Sequence, residues 1–157
     1  MNTVRVLLGS ADRRLNNLVE AAVLDVCSHD ACVEFTRLNR LGDFFRHGCH
    51  SGYQLLLLAP DHLLPEQGRA GSVPRHELTD AVQLITSRHS TPLVAVGVAE
   101  EDESPLLAAG AIGVLRRPVG GDEIKSEVRL VLGLREPEEA APAKWSLAGW
   151  FRKLGRG

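Results

Sequence analysis

Tyr53-Gln-Leu-Leu-Leu-Leu-Ala59 is the most hydrophobic stretch of the chain, and it decides the fold class. Four consecutive leucines leave no polar face, which indicates a strand that is covered on both sides. Strands of this kind occur in parallel sheets, because the crossover connections place helices over both faces of the sheet. The stretch therefore predicts a buried strand of a parallel sheet.

Other predicted strands and helices alternate along the chain on both sides of this stretch. The four further strands are Val4–Gly9, Cys32–Leu38, Pro92–Val98 and Ala111–Leu115. Apolar residues at helical spacing predict helices within 15–26, 41–47, 78–85 and 124–132, and Ser104-Pro105 predicts the start of a short helix that ends at Gly110. Pro60–Pro74 is predicted as a long loop. Five strand–helix repeats predict a flavodoxin-like, doubly wound five-stranded parallel sheet of order 2-1-3-4-5, in three layers.

Composition narrows the class of protein. Hydrophobic residues make up 44% and charged residues 24% of 157 residues, which is typical of a globular domain. A net charge of -2 predicts no general affinity for nucleic acid. Three cysteines cannot all pair within one chain, so a reducing cytoplasm is the expected location. The apolar runs are too short for a secretory signal or a membrane span.

One segment resembles the receiver domain of bacterial two-component response regulators. Ala108-Ala-Gly-Ala-Ile-Gly-Val-Leu-Arg-Arg-Pro118 is similar to the family pattern of Ala-Gly-Ala, a short strand and Lys-Pro. Pro92-Leu-Val-Ala-Val and Tyr53-Gln-Leu-Leu-Leu-Leu are similar to the fourth and third strands of that family. The resemblance covers about residues 3–134 and predicts a receiver-like domain at 1–134, followed by a linker at 135–143 and a tail at 144–157.

The resemblance implies a phosphorylation pocket, but this chain lacks its chemistry. In the family, an aspartate after the third strand accepts phosphate and two acids after the first strand hold Mg²⁺. A Thr or Ser after the fourth strand and a Lys after the fifth contact the phosphoryl oxygens. The corresponding positions here are Ala59 for the acceptor, Ser10 and Ala11 for the acids with Asp12 one place late, Gly97 for the hydroxyl and Arg117 for the lysine. We therefore expect no enzyme activity, no cofactor and no Mg²⁺-dependent phosphoryl transfer. Phosphorylation on a displaced aspartate, Asp61 or Asp12, is the alternative.

Cysteines and histidines concentrate between residues 27 and 50. Thiolates with imidazoles suit Zn²⁺, so a metal or redox sensor is a second alternative. Its ligands would be Cys27, His29, His47, Cys49 and His50. The spacing matches no closed zinc pattern, and free cysteines are commonly small buried hydrophobes, so no metal is the leading expectation.

The tail has the features of a binding segment. Leu147, Trp150, Phe151 and Leu154 fall at i, i+3, i+4 and i+7, which is one face of a helix. Arg152 and Lys153 add positive charge beside that face. Such a segment predicts docking to a protein groove or peripheral contact with an anionic membrane, while packing on its own domain or fraying are the alternatives.

Together these features predict a binding module that acts on a signalling or localisation partner without phosphorylation. The resemblance implies that the fourth helix, fifth strand and fifth helix form a partner or homodimer face. Arg116 and Arg117 would bind an anion or a protein's acids, or pair with Glu100, Glu101 or Asp102 in a neighbouring loop. No nucleic-acid partner is expected.

Overall fold

A computed structural model describes residues 2–27, 31–50, 52–66, 71 and 73–133. Strands and helices alternate through these residues. The strands are β1 (Asn2–Gly9), β2 (Ala31–Leu38), β3 (Leu55–Leu58), β4 (Leu93–Val98) and β5 (Gly113–Arg116). The helices are α1 (Arg13–Cys27), α2 (Leu41–Gly48), α3 (Arg75–Arg88), α4 (Glu100–Ala109) and α5 (Gly121–Leu132). None of the helices in the described ranges is long and apolar enough to cross a bilayer.

The five strands form one sheet of order β2-β1-β3-β4-β5, and every neighbouring pair is parallel. This confirms the predicted doubly wound topology. Within β1, Val6 pairs with Phe35 of β2 on one side and with Leu55 of β3 on the other. Because all strands run in one direction, the loops after β1, β3, β4 and β5 lie at the same edge, where sites occur in this architecture.

The four leucines of β3 divide between two cores, as a strand covered on both faces requires. Leu56 and Leu58 pack against the layer formed by α2, α3 and α4, and Leu55 and Leu57 pack against α1 and α5. None of the four is more than 1% exposed. Full burial of a leucine side chain contributes about 1.5–3 kcal/mol, so this strand stabilises both layers.

The fourth helix begins earlier than the sequence predicts. The pair Ser104-Pro105 is typical of a helix start, but α4 spans Glu100–Ala109 and contains Pro105 in its interior. Its first turn carries four consecutive acids, 100–103, whose charges interact favourably with the helix dipole. Asp102 forms an ion pair with Arg75 of α3 at 2.5 Å, which anchors the turn before the proline. Acids at the N-terminus and tertiary pairing therefore outweigh the proline signal.

The described part of the predicted loop at Pro60–Pro74 contains local structure. A 3-10 turn forms at Pro60–His62, and Leu64 makes an isolated parallel bridge with Arg40. Leu63, only 8% exposed, packs into the core of the α2–α4 layer. Burial of Pro60 and Leu63 fixes the start of this connection directly beside the end of β3.

Candidate functional site

Backbone hydrogen bonds hold the loops at the carboxyl edge of the sheet against one another. The Ala59 N–H donates to the Gly9 carbonyl at 2.9 Å, and the Ala11 N–H donates to the His62 carbonyl at 2.6 Å. The Arg117 N–H donates to the carbonyl of Val98, the last residue of β4, at 3.1 Å. The positions predicted for the phosphorylation pocket therefore lie along one edge.

The acceptor position and the first acid position are both buried. Ala59 is 1% exposed and follows the last leucine of β3, so a methyl group lies at the position that the resemblance implies for the acceptor. Ser10 is 2% exposed, and its hydroxyl oxygen accepts a hydrogen bond from the Asp12 N–H at 3.1 Å. Neither side chain offers a carboxylate to a cation.

Asp12 acts as the cap of α1. Its Oδ1 accepts hydrogen bonds from the Arg14 N–H at 3.0 Å and the Leu15 N–H at 3.4 Å. Two of the unpaired N–H groups at the start of the helix are thereby satisfied. The other carboxylate oxygen, Oδ2, lies 3.3 Å from Nδ1 of His62. Both oxygens of Asp12 thus have partners.

Asp61 pairs with the residue at the family's lysine position. Its Oδ2 accepts a hydrogen bond from Nη1 of Arg117 at 2.8 Å. Because the acid side chain is 32% exposed and the arginine side chain 54% exposed, solvent screens the pair. The arrangement links the loop after β3 to the loop after β5.

His62 is the member of this site that the sequence analysis missed. It joins the loop after β3 to the loop after β1 and lies near β4: its carbonyl accepts from the Ala11 N–H, its ring contacts Asp12, and a Cβ placed on Gly97 would lie 3.9 Å from the ring. Little in the sequence pointed to this residue, because a histidine three places after Ala59 belongs to no motif of the receiver domains that the chain resembles. Only the 3-10 turn at Pro60–His62 brings the ring to the pocket.

Gly97, at the family's hydroxyl position, forms an irregularity in β4. Its φ is +70°, a left-handed conformation that favours glycine, and the pairing with β5 shifts register between Val96 and Val98. A Cβ placed there would lie 3.9 Å from the His62 ring and from Leu15, which is ordinary contact. The backbone conformation, rather than lack of space, therefore selects glycine.

The residues at this edge do not fit Mg²⁺, the ion that the resemblance implies. Mg²⁺ takes oxygen ligands in octahedral geometry, and carboxylates must be free to supply them. Here Asp12 caps a helix and contacts His62, Asp61 contacts Arg117, and Ala59 supplies no side-chain oxygen. A cation would have to displace each of these interactions and approach a guanidinium group.

A cavity of about 380 Å³ lies next to this site, between the ends of β1 and β2. Arg13, Asn16 and Arg37 are among its walls, and its described lining residues include no acid. Arg37 forms an ion pair with Glu20, and that hydrogen-bonded carboxylate raises the pKa of the guanidinium. The described lining residues therefore supply no carboxylate to a divalent cation.

The arginines after β5 pair with nearby acids. Arg116 donates from Nε to Glu103 at 2.6 Å and lies 3.9 Å from Glu100. Glu100 is one of the predicted partners, but it lies in the first turn of α4 rather than in a loop, and the closer partner Glu103 was not predicted. Arg117 pairs with Asp61 instead of the α4 acids. The sequence reasoning missed Asp61 because it lies in the loop after another strand.

The cysteine–histidine cluster is not assembled in the described structure. Cys27 packs in the core beside α1 and α5, whereas Cys49 packs against the core of the α2–α4 layer, on the other face of the sheet. His47 Nδ1 lies 3.0 Å from the Asp43 carbonyl, and His50 is exposed. Among the described residues, no three His, Cys, Asp or Glu side chains are grouped to hold a metal. The predicted ligand His29 lies outside the described residues.

The linker and the tail also lie outside the described part of the chain. The predicted partner-binding residues Leu147, Trp150, Phe151, Arg152, Lys153 and Leu154 all belong to it. Their role therefore stays a prediction.

No protein-family model matches this chain, and no curated protein matches it either. Solved structures do match. The receiver domain of the sensor histidine kinase PA1611 from Pseudomonas aeruginosa, which has a magnesium ion coordinated in its active-site cleft, superposes with a TM-score of 0.61 at 14% identity. The match covers 83% of this chain and 98% of that one.

Two further matches differ in what their proteins do. HP1043, an orphan response regulator of Helicobacter pylori, matches with a TM-score of 0.57 at 16% identity, over 82% of this chain and 96% of that one. CpaE2, described as a pilus assembly protein of Sinorhizobium meliloti, matches with a TM-score of 0.62 at 14% identity, over 82% of this chain and 99% of that one. Likenesses at such low identity establish architecture alone. The described part of this chain has the receiver-domain fold.

Proposed function

We propose that this chain is a receiver-like binding module that works without phosphorylation and regulates or localises a partner protein. One observation carries the proposal. Ala59 lies at the position that the resemblance implies for the acceptor, and the two alternative acceptors are already engaged, Asp12 by α1 and His62, and Asp61 by Arg117. Phosphoryl transfer needs a nucleophilic oxygen and cations that neutralise the transferred charge. The residues at this edge of the sheet favour a structural role over a catalytic one.

The surface of α4, β5 and α5 is the proposed partner or homodimer face. Three of the six large hydrophobic side chains that are exposed in the described residues belong to these elements or their connection: Leu107 at 43%, Ile112 at 58% and Leu130 at 75%. Exposed apolar side chains favour protein contacts over solvation. The tail would supply a second contact, and two linked contacts raise the effective affinity for one partner.

A phosphodonor assay tests the phosphorylation-independent part. The full chain is incubated with acetyl phosphate and Mg²⁺, beside an active receiver domain as the positive control, and intact masses are measured. We expect the control to gain one phosphoryl group and this chain to gain none. A stoichiometric adduct would instead support the displaced-acceptor alternative, and the variants Asp61→Asn and Asp12→Asn would locate it.

Surface variants test the partner face. Ile112→Glu places a charge on that face, and Leu24→Glu is the matched control on α1, where the leucine is 47% exposed. Sedimentation and pull-down with the full chain are compared with and without a phosphodonor. We expect Ile112→Glu to weaken self-association or partner capture, Leu24→Glu to have no effect, and the phosphodonor to change neither.

A further inference from the structure

An apolar groove of about 300 Å³ lies between α2 and α3, on the face of the sheet opposite α1 and α5. Leu41, Phe45, Ala81 and Leu84 supply its apolar lining. The Leu84 side chain is 49% exposed although it points into a concave surface of other apolar groups. Burial of this lining by a ligand would be favourable because it removes apolar area from water.

The rim of this groove is acidic. Glu66, Glu77 and Asp80 line it, and no basic side chain is among its described lining residues. The Glu66 carboxylate also accepts a hydrogen bond from the Gly42 N–H at 2.9 Å, which fixes it beside the start of α2. An apolar floor with a negative rim is complementary to a basic segment that has one apolar helical face.

The chain itself contains such a segment. We propose that the tail, residues 144–157, docks in the α2–α3 groove of the same molecule. As a helix, this segment would place Leu147, Trp150, Phe151 and Leu154 on one face. Its four basic residues, Lys144, Arg152, Lys153 and Arg156, are opposite in charge to the three rim acids. This inference goes beyond the proposed function: a docked tail would have to leave the groove before it could supply the second partner contact, whereas the partner face of α4, β5 and α5 does not depend on the tail.

The connection is long enough for docking within one molecule. Ten residues separate Gly133, at the end of α5, from Lys144, and they span up to about 35 Å when extended. A domain of this length has a diameter of about 36 Å, so half of its circumference is about 57 Å. The extended connection and a helical tail of about 21 Å together cover about 56 Å, which brings the end of the tail to the opposite layer. At an effective concentration of about 1 mM, about nine-tenths of the grooves would be filled if the free peptide bound with a Kd of about 100 µM.

Tryptophan fluorescence of the full chain reports docking directly, because both tryptophans, Trp145 and Trp150, belong to the tail. A synthetic peptide of residues 144–157 gives the emission maximum and acrylamide quenching of the undocked state. Leu84→Lys adds a charge to the groove floor, and Leu24→Lys is the matched control, since these leucines are 49% and 47% exposed on opposite layers. Both positions are exposed enough for the variants to fold.

We expect blue-shifted emission and weaker quenching in the wild-type chain than in the peptide. Leu84→Lys should weaken docking about tenfold, which halves the shift at an effective concentration of about 1 mM, while Leu24→Lys should retain it. The inference is overturned if wild-type emission equals that of the peptide, or if Leu24→Lys acts as strongly as Leu84→Lys. Loss of the shift on dilution would also overturn it, in favour of docking to a second copy.

Discussion

If Asp12 caps α1 and does not bind a metal, its replacement has a predictable effect on the free energy of unfolding. Its Oδ1 accepts from the N–H groups of Arg14 and Leu15, and loss of such a cap costs about 1 kcal/mol. The first turn of α1 contains no acid, so Asp12 supplies the negative charge at this helix end, which adds about 0.5 kcal/mol. We therefore expect Asp12→Ala to lower the free energy of unfolding by about 1.5 kcal/mol.

The contact with His62 adds little to this sum. The two side chains are 36% and 33% exposed, and solvent screening leaves such pairs with at most a few tenths of a kcal/mol. Asparagine caps helices about as well as aspartate, so Asp12→Asn should keep the cap and lose only the charge. Its expected cost is about 0.5 kcal/mol.

Urea unfolding with and without Mg²⁺ measures both quantities. At 10 mM Mg²⁺, a site with a Kd of about 1 mM would stabilise the folded state by about 1.4 kcal/mol. We expect no stabilisation of the wild-type chain or of either variant, since Asp12 serves the helix. Equal denaturant slopes for the three proteins would show that only stability changes.

Two results would refute this reasoning. If Mg²⁺ stabilised the wild-type chain by about 1 kcal/mol or more and Asp12→Asn removed that gain, Asp12 would be a metal ligand. If Asp12→Asn were as destabilising as Asp12→Ala, the charge rather than the cap would provide the stability.

Three further predictions concern the fold around the site. Gly110→Ala should lower the free energy of unfolding in urea by about 3 kcal/mol, because φ is +121° and a Cβ would overlap the Thr86 hydroxyl oxygen, which donates to the Ala109 carbonyl. A loss below about 1 kcal/mol would contradict this. Phe44→Ala should cost about 3–5 kcal/mol by the same measurement, because the ring is fully buried in the α2–α4 layer. Asp61→Asn should change stability by less than about 0.5 kcal/mol, because its ion pair is screened, and a larger loss would show a structural role.

Most of the architecture could be predicted from local patterns. The leucine run of β3 indicated burial on both faces, and the alternation of strands and helices indicated the sheet order that the structure has. The prediction for α4 was wrong because a local signal, Ser104-Pro105, competed with four acids at 100–103 and with pairing to α3. The first and last residues of a helix depend on such tertiary contacts more strongly than the existence of the helix does.

The composition of the candidate site followed from the sequence, but its contacts did not. The resemblance located Ala59, Ser10 and Gly97 at the carboxyl edge, and the structure has them there. His62 was missed because its position depends on a 3-10 turn that no sequence pattern announced. The Asp61–Arg117 pair joins residues 56 positions apart, so only the folded loops could reveal it.

The sequence by itself determined the order of the strands and the lack of a carboxylate at Ala59, the position that the resemblance implies for an acceptor. Both follow from residue identity, through hydrophobic periodicity in one case and missing functional groups in the other. Tertiary structure alone decided how the remaining acids are used: Asp12 caps a helix and contacts His62, and Asp61 meets a guanidinium. The physical reason is that a side chain's partners depend on how separate loops converge in space, which periodicity along the chain does not encode.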